Sequence, residues 1–264
     1  MDFPLFLVML LLGFIGSFFS GLLGIGGAII NYPLLLFIPS ILGVAHFTGQ
    51  EVSTISMFQV FFASLAGVMA YRMNHSGNSS FIHKGLVLNM GISILIGSLI
   101  GGMSSKYLSD ETINIIYGVL AVIAVVLMLF PSKGTRNGGD SPAEFNQAIA
   151  IVSAFLVGMV SGVVGAGGAF ILIPIMLTVL RIPTRVTIAS SLAIVFISAV
   201  GGVIGKITAG HIPLLPTVFV VVGSLFGAPL GSRMSAKIDA KYLRYGLVVF
   251  IALTAIKIWS SILQ

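Results

Sequence analysis

The chain contains no cysteine, which excludes disulfides, thiolate metal sites and thiol-based sulfur chemistry. Charge is nearly as scarce. Asp, Glu, Lys and Arg make up 8% of the 264 residues, where a soluble domain carries roughly 25%. So few charges cannot cover a water-facing surface. With 57% hydrophobic residues and a mean hydropathy of +1.14, the chain reads as an all-α polytopic membrane protein. The Met1-Asp2-Phe3-Pro4 start lacks the basic region of a secretory signal, so a first membrane segment is expected there. The formal charge of +6 is scattered over short loops, which points to membrane topology and away from nucleic acid. His46, His75, His83 and His211 have no paired ligand spacing, so no metal and no cofactor is expected.

Glycine, by contrast, is abundant and patterned. Ser20-Gly21-Leu22-Leu23-Gly24-Ile25-Gly26-Gly27-Ala28, with Pro33 after it, recurs 141 residues later. The second copy is Ser161-Gly162-Val163-Val164-Gly165-Ala166-Gly167-Gly168-Ala169, with Pro174 at the same distance. Other matches follow: Val52, Ser56 and Ser64 with Val186, Ser190 and Ser198, and Gly97-Ser98-Leu99 and Gly101 with Gly223-Ser224-Leu225 and Gly227. The chain is therefore read as a single transmembrane domain over 1–264. Repeat 1 covers about 5–130, a polar Gly-rich linker 131–144, and repeat 2 about 145–262. Ser141, Pro142 and Glu144 suggest a helix start at the end of that linker.

Each repeat holds four apolar segments: 5–38, 52–71, 85–103 and 113–130, then 145–180, 186–206, 214–230 and 242–262. The first of each is too long for one span of about 20 residues and too short for two. A broken helix is expected in its place, two short helices meeting at the glycines, either re-entrant or a short pair, beside three spanning helices. Charge bears on this. With each long segment crossing once, Lys and Arg divide seven to six between the two sides; with each returning to its own side they divide ten to three. The second count has the asymmetry of a cytoplasmic face. It predicts two inverted-topology repeats and both termini extracytoplasmic.

The glycine runs admit two readings. A helix break would present unpaired backbone N–H groups and a positive helix end to an anion near the midplane. Close helix packing also uses glycine. Two copies with identical spacing favour the first, placing Gly24, Gly26, Gly27 and Ala28, and Gly165, Gly167, Gly168 and Ala169, at a substrate site. Asn31 stands where the second copy has Leu172, as a ligand contact or as an interhelical hydrogen bond. Ser53, Ser56 and Gln59 share one helix face, as do Thr187, Ser190 and Ser191, so these are candidate cavity-lining groups. Gly97-xxx-Gly101 and Gly223-xxx-Gly227-xxx-Gly231 read as packing faces. Glu51, Lys84 and Lys206 fall at segment ends, where water or headgroups can solvate them.

In these features the chain resembles the TauE/SafE family of sulfite and sulfonate exporters. The resemblance is carried by Gly24-Ile25-Gly26-Gly27 to Pro33, Gly165-Ala166-Gly167-Gly168 to Pro174, the hydroxyl-rich second helices and the Gly-Ser-Leu-x-Gly pattern. It implies a multi-pass plasma-membrane carrier of sulfur-containing anions, with its site at the glycine runs and the Ser56 and Ser190 region. The expectation is thus a secondary transporter of sulfite, thiosulfate or an organosulfonate, with a small anion and the lipid bilayer as partners and homo-oligomerisation left open. The alternatives are a binding or sensor subunit that needs a partner, or a carrier of another small organic anion. No nucleophile–base pair or metal cluster points to an enzyme.

Overall fold

The structure, a computed structural model, describes residues 3–23, 28–74, 84–129, 146–180, 182, 184–210, 212–235, 256 and 259–260. Among them the regular structure is helical: α1 (Phe3–Leu23), α2 (Ala28–Ile41), α3 (Gly49–Asn74), α4 (Lys84–Ser104), α5 (Asp110–Leu129), α6 (Gln147–Val164), α7 (Ala169–Thr178), α8 (Thr184–Ala209) and α9 (Leu214–Ser235). Gly24, Gly26, Gly27, the linker 131–144 and almost all of the segment expected at 242–262 lie outside the described residues. So does the helix start read at Ser141. The N-cap of α6 is Asn146, whose side chain accepts from the Ala148 and Ile149 N–H groups.

Among the described residues, six helices are long and apolar enough to cross a membrane: α1, α3, α4, α6, α8 and α9. Their outward faces are apolar. Leu7, Leu11, Ile15 and Phe19 form an exposed stripe on α1, and Leu88, Ile92, Ile96 and Ile100 another on α4, each at steps of four. Serines lie inside instead: Ser17, Ser53, Ser56, Ser98, Ser161, Ser190 and Ser198 are all buried. Polar residues inside and apolar residues outside is the arrangement expected in lipid, where the outer face meets hydrocarbon.

The pieces of the long apolar segments differ from the expected two short helices. The first piece is full length in each half: α1 has 21 residues and α6 has 18, and only the second pieces are short, α2 with 14 and α7 with 10. At 1.5 Å per residue, α1 and α6 reach about 27–31 Å, close to the thickness of a hydrocarbon core. The reason is that Gly21 and Gly162 stay helical. Each lies against a neighbouring helix backbone, Gly21 against the Ala228 carbonyl and Gly162 against the Ser98 carbonyl.

The two halves are interlocked. The most extensive helix contacts are α1 with α9 and α4 with α6, so the first helix of each half packs along the last described helix of the other in one half and the fourth element of the other in the second. Glycines make the close approach: an added Cβ at Gly101 would lie 1.9 Å from the Met159 carbonyl oxygen, and at Gly231 1.9 Å from that of Phe18. These contacts shift the repeat by one turn. Gly97 meets Phe155 and Gly101 meets Met159, whereas Gly227 meets Phe14 and Gly231 meets Phe18. Phe155 and Phe14, like Met159 and Phe18, are 141 apart, so Gly97 and Gly101 correspond in packing to Gly227 and Gly231. The sequence match to Gly223 and Gly227 is one turn early, because three glycines spaced by four leave two registers open.

Candidate functional site

The break between α6 and α7 is built from backbone. Gly165 ends α6 at φ 78° and its N–H returns to the Ser161 carbonyl, which also accepts from Ala166 at 2.9 Å. Gly167 and Gly168 follow at φ 63° and 79°, a left-handed conformation that costs other L-residues about 1–2 kcal/mol each. Gly165 also has no room for a side chain, because an added Cβ would sit 1.9 Å from the Ser53 carbonyl oxygen. Gly168 caps α7 with no side-chain hydrogen bond, and its carbonyl takes the Ile171 and Leu172 N–H groups at 3.2 and 3.0 Å. Among the described residues, no backbone carbonyl outside the helices takes the N–H groups of Gly167, Gly168, Ala169 or Phe170. The break is buried throughout.

Helix α3 forms one wall of this break. Ser53 meets Gly165, and Val60, two turns on, meets Gly167 together with Val195 of α8. Both valines lie near the middle of their 26-residue helices, which places Gly167 at mid-depth in the bundle. Ser56 falls between Ser53 and Val60 on that face. Its hydroxyl is fully buried and has no hydrogen-bond partner among the described residues.

The adjoining side of α3, carrying Gln59, faces α1 of the first half. The Gln59 amide nitrogen donates to the Gly13 carbonyl and the Ser17 hydroxyl, each at 3.1 Å, and leaves its own oxygen unpartnered. Asn31, in the first turn of α2, is 1% exposed and has neither its amide nitrogen nor its oxygen bonded among the described residues. Gly16 holds the two amides together: an added Cβ there would lie 1.8 Å from Asn31 Oδ1 and 3.0 Å from Gln59 Nε2. Beyond Asn31, Tyr32 stacks on Tyr117 at 4.5 Å and donates to Asn114 Oδ1 at 2.7 Å, tying α2 to α5.

The structure sorts the residues singled out in the sequence. Asn31, Ser56 and Gln59 keep unpartnered buried atoms around α3, and Ser198 of α8 keeps one as well. Buried polar groups are paired in the great majority of cases, so each such atom needs an explanation. Ser53 and Thr187 are engaged, with the Val163 and Ile182 carbonyls respectively. Ser190 and Ser191 are buried and have partners of their own. Gly165, Gly167, Gly168 and Ala169 form the break, while Gly24, Gly26 and Gly27 are undescribed, and of Ala28 only its place at the start of α2 is described.

One group at the site escaped the sequence reading. Lys206 occupies the last turn of α8, as a segment-end position implies, but it is not solvated: it is 1% exposed. Its ammonium turns inward and donates to the Val163 carbonyl at 2.9 Å, beside the Ser53 hydroxyl bonded to the same oxygen. Arg72 lies 134 positions earlier, the offset that relates Ser56 to Ser190, and this match was the available signal. A separate cavity of about 400 Å³ is lined by Phe58, Phe62, Ile207, Val218 and other apolar residues with Thr217; its apolar wall suits a lipid chain and offers an anion no cradle.

Comparison with known proteins agrees with this architecture. The family described as Sulfite exporter TauE/SafE matches residues 9–258. The probable membrane transporter protein YunE of Bacillus subtilis is 25% identical over 252 residues, covering 89% of this chain and 90% of that protein. A probable membrane transporter protein of Methanocaldococcus jannaschii is 24% identical over 246 residues, covering 90% and 89%. The probable membrane transporter protein YdhB of Bacillus subtilis is 28% identical over 235 residues, covering 87% and 88%. No solved structure matches the chain.

Proposed function

The chain belongs to the sulfite exporter TauE/SafE family, and from that premise we propose that it is a multi-pass secondary transporter of small sulfur-containing anions such as sulfite, thiosulfate or an organosulfonate. The observation that carries this reading is the set of buried, unpartnered polar atoms on Asn31, Ser56 and Gln59, gathered around α3 beside a glycine break whose first α7 N–H groups are free among the described residues. An unpaired buried polar group costs about 1–3 kcal/mol, and a ligand that accepts hydrogen bonds recovers that cost at the Asn31 amide nitrogen and the Ser56 hydroxyl. Most of the free groups are donors: the Asn31 amide nitrogen, the Ser56 hydroxyl and the α7 amides. Helix starts add a partial positive charge of about half an electron. Donors without a carboxylate select an anion over a cation.

In this reading the halves are inverted repeats, each with one broken element, and access alternates by rocking one half against the other around α3 and α8. The glycine runs supply backbone amides and Ser56 and Asn31 orient the oxyanion. Both termini are extracytoplasmic, and the relatives' names, probable membrane transporter proteins, support a transport role. Flux into proteoliposomes of sulfite, thiosulfate, sulfate, taurine and sulfoacetate, with and without a pH gradient, tests the substrate class. Saturable uptake of at least one sulfur anion is expected; a protein that moves none of them is not this transporter. A reporter active only in the cytoplasm, fused at the C-terminus, should stay silent, and a signal overturns the topology.

A further inference from the structure

A buried ammonium has three N–H donors, and Lys206 has one acceptor among the described residues, the Val163 carbonyl. That carbonyl is already capped by the Ser53 hydroxyl, so a cation is more than the end of α6 requires. No ion pair occurs among the described residues, and the described carboxylates are engaged or exposed elsewhere: Glu51 accepts from the Thr48 N–H, Asp110 from the Gln50 N–H, and Glu111 is exposed. A lysine held inside a membrane bundle is costly unless a counter-charge joins it, which makes it a mark of an ion pathway. The second observation is independent. Ser56, one turn along α3 from Ser53 and on the face that lines the break, holds a fully buried hydroxyl with no partner among the described residues.

We propose that Lys206 is the fixed positive charge of the substrate site: the counter-ion missing from its surroundings is the transported oxyanion, held between the Lys206 ammonium, the Ser56 hydroxyl and the first N–H groups of α7. This rests on the reading of the chain as an anion carrier and adds the residue that sets its preference for charge. The ligand class is an oxyanion with one or two negative charges. One side of the substrate meets a full cation in the second half, and the Asn31 amide nitrogen of the first half offers an uncharged donor.

Purified full-length protein tests this with thiosulfate, sulfite and sulfoacetate as probes. Lys206→Met should weaken binding of the probe that the wild type takes by about 10- to 100-fold, the range for loss of a charged hydrogen bond. Lys206→Arg should stay within about threefold, since arginine keeps the charge. A Lys206→Met protein that binds and carries the probe like the wild type overturns the role of Lys206 and leaves the carrier reading standing. A second measurement needs no variant. Acetic anhydride labelling of the wild type, read at Lys206 by mass spectrometry, should be slowed by thiosulfate and unaffected by sodium chloride of equal ionic strength, with exposed Lys106 as the unchanged control. This decides the case if Lys206→Met fails to fold or if flux assays fail. Protection by thiosulfate supports the anion site. A Lys206 that never labels, or that labels equally in both salts, is a sealed structural cap and overturns the proposal.

Discussion

The two faces of α3 solve the same problem with different chemistry. Toward the first half, uncharged amides meet: Asn31 from α2 and Gln59 from α3, held together at Gly16 and anchored by Ser17. Toward the second half, a hydroxyl and a cation meet a bare helix break: Ser56, Lys206 and the αL glycines 165, 167 and 168. At the position of Asn31 the second half has Leu172, which is fully buried in an apolar setting. Positions matched by the sequence repeat thus carry different side chains in the two halves. For the proposed oxyanion, one charged wall and one neutral wall would suffice; a second buried cation beside Lys206 would repel it when the site is empty.

Substitutions can break this comparison. The largest effect is expected at Gly165→Val, where the new side chain meets the Ser53 carbonyl oxygen at a positive φ. Unfolding in detergent should show a loss of about 4 kcal/mol or more. The same change at Gly24, its sequence counterpart, asks whether the first half is as tightly closed; a much smaller loss there would separate the halves. Next, Asn31→Leu makes the first half resemble the second. Removing an unpartnered buried amide should raise stability by about 1–3 kcal/mol while anion uptake falls at least about tenfold. A variant both less stable and fully active would show that Asn31 serves packing alone.

Ser56→Ala sharpens the second wall. Its hydroxyl has no partner to lose, so stability should stay within about 0.5 kcal/mol while the KM for the carried anion rises several-fold. The equivalent change in α8, Ser190→Ala, removes a partnered hydroxyl and should cost about 1 kcal/mol of stability. Gly43→Ala completes the series. Gly43 has φ 65° with nothing near an added Cβ, so the change should cost about 1 kcal/mol from the backbone conformation alone and leave flux untouched.

Much of this was legible in the residues. Low charge and long apolar runs are enough for a helical membrane protein, because spanning backbone must bond to itself. Gly165, Gly167 and Gly168, singled out in the sequence, lie where α6 ends and α7 begins, because three closely spaced glycines disfavour an unbroken helix. Ser56, Gln59 and Asn31 stood out as polar groups in apolar surroundings. Three things were not legible. The full length of α1 and α6 depends on Gly21 and Gly162 remaining helical against partner backbones. All three equally spaced glycines of α9 meet α1, and only that packing shows which two of them match Gly97 and Gly101. The burial of Lys206 depends on a rotamer chosen by a carbonyl 43 positions away.

By itself, then, the sequence determined composition, periodicity and duplication, and through them the membrane class, the helices and the position of the break. These are properties of a residue and its near neighbours, or of a pattern repeated along the chain. Which hydroxyls are engaged and which are left free, and whether Lys206 meets water or the end of α6, were decided only in the tertiary structure. The physical reason is that hydrogen-bond satisfaction and burial are properties of pairs. A serine on α3 and a carbonyl 110 residues away on α6 have no relation until packing brings them together.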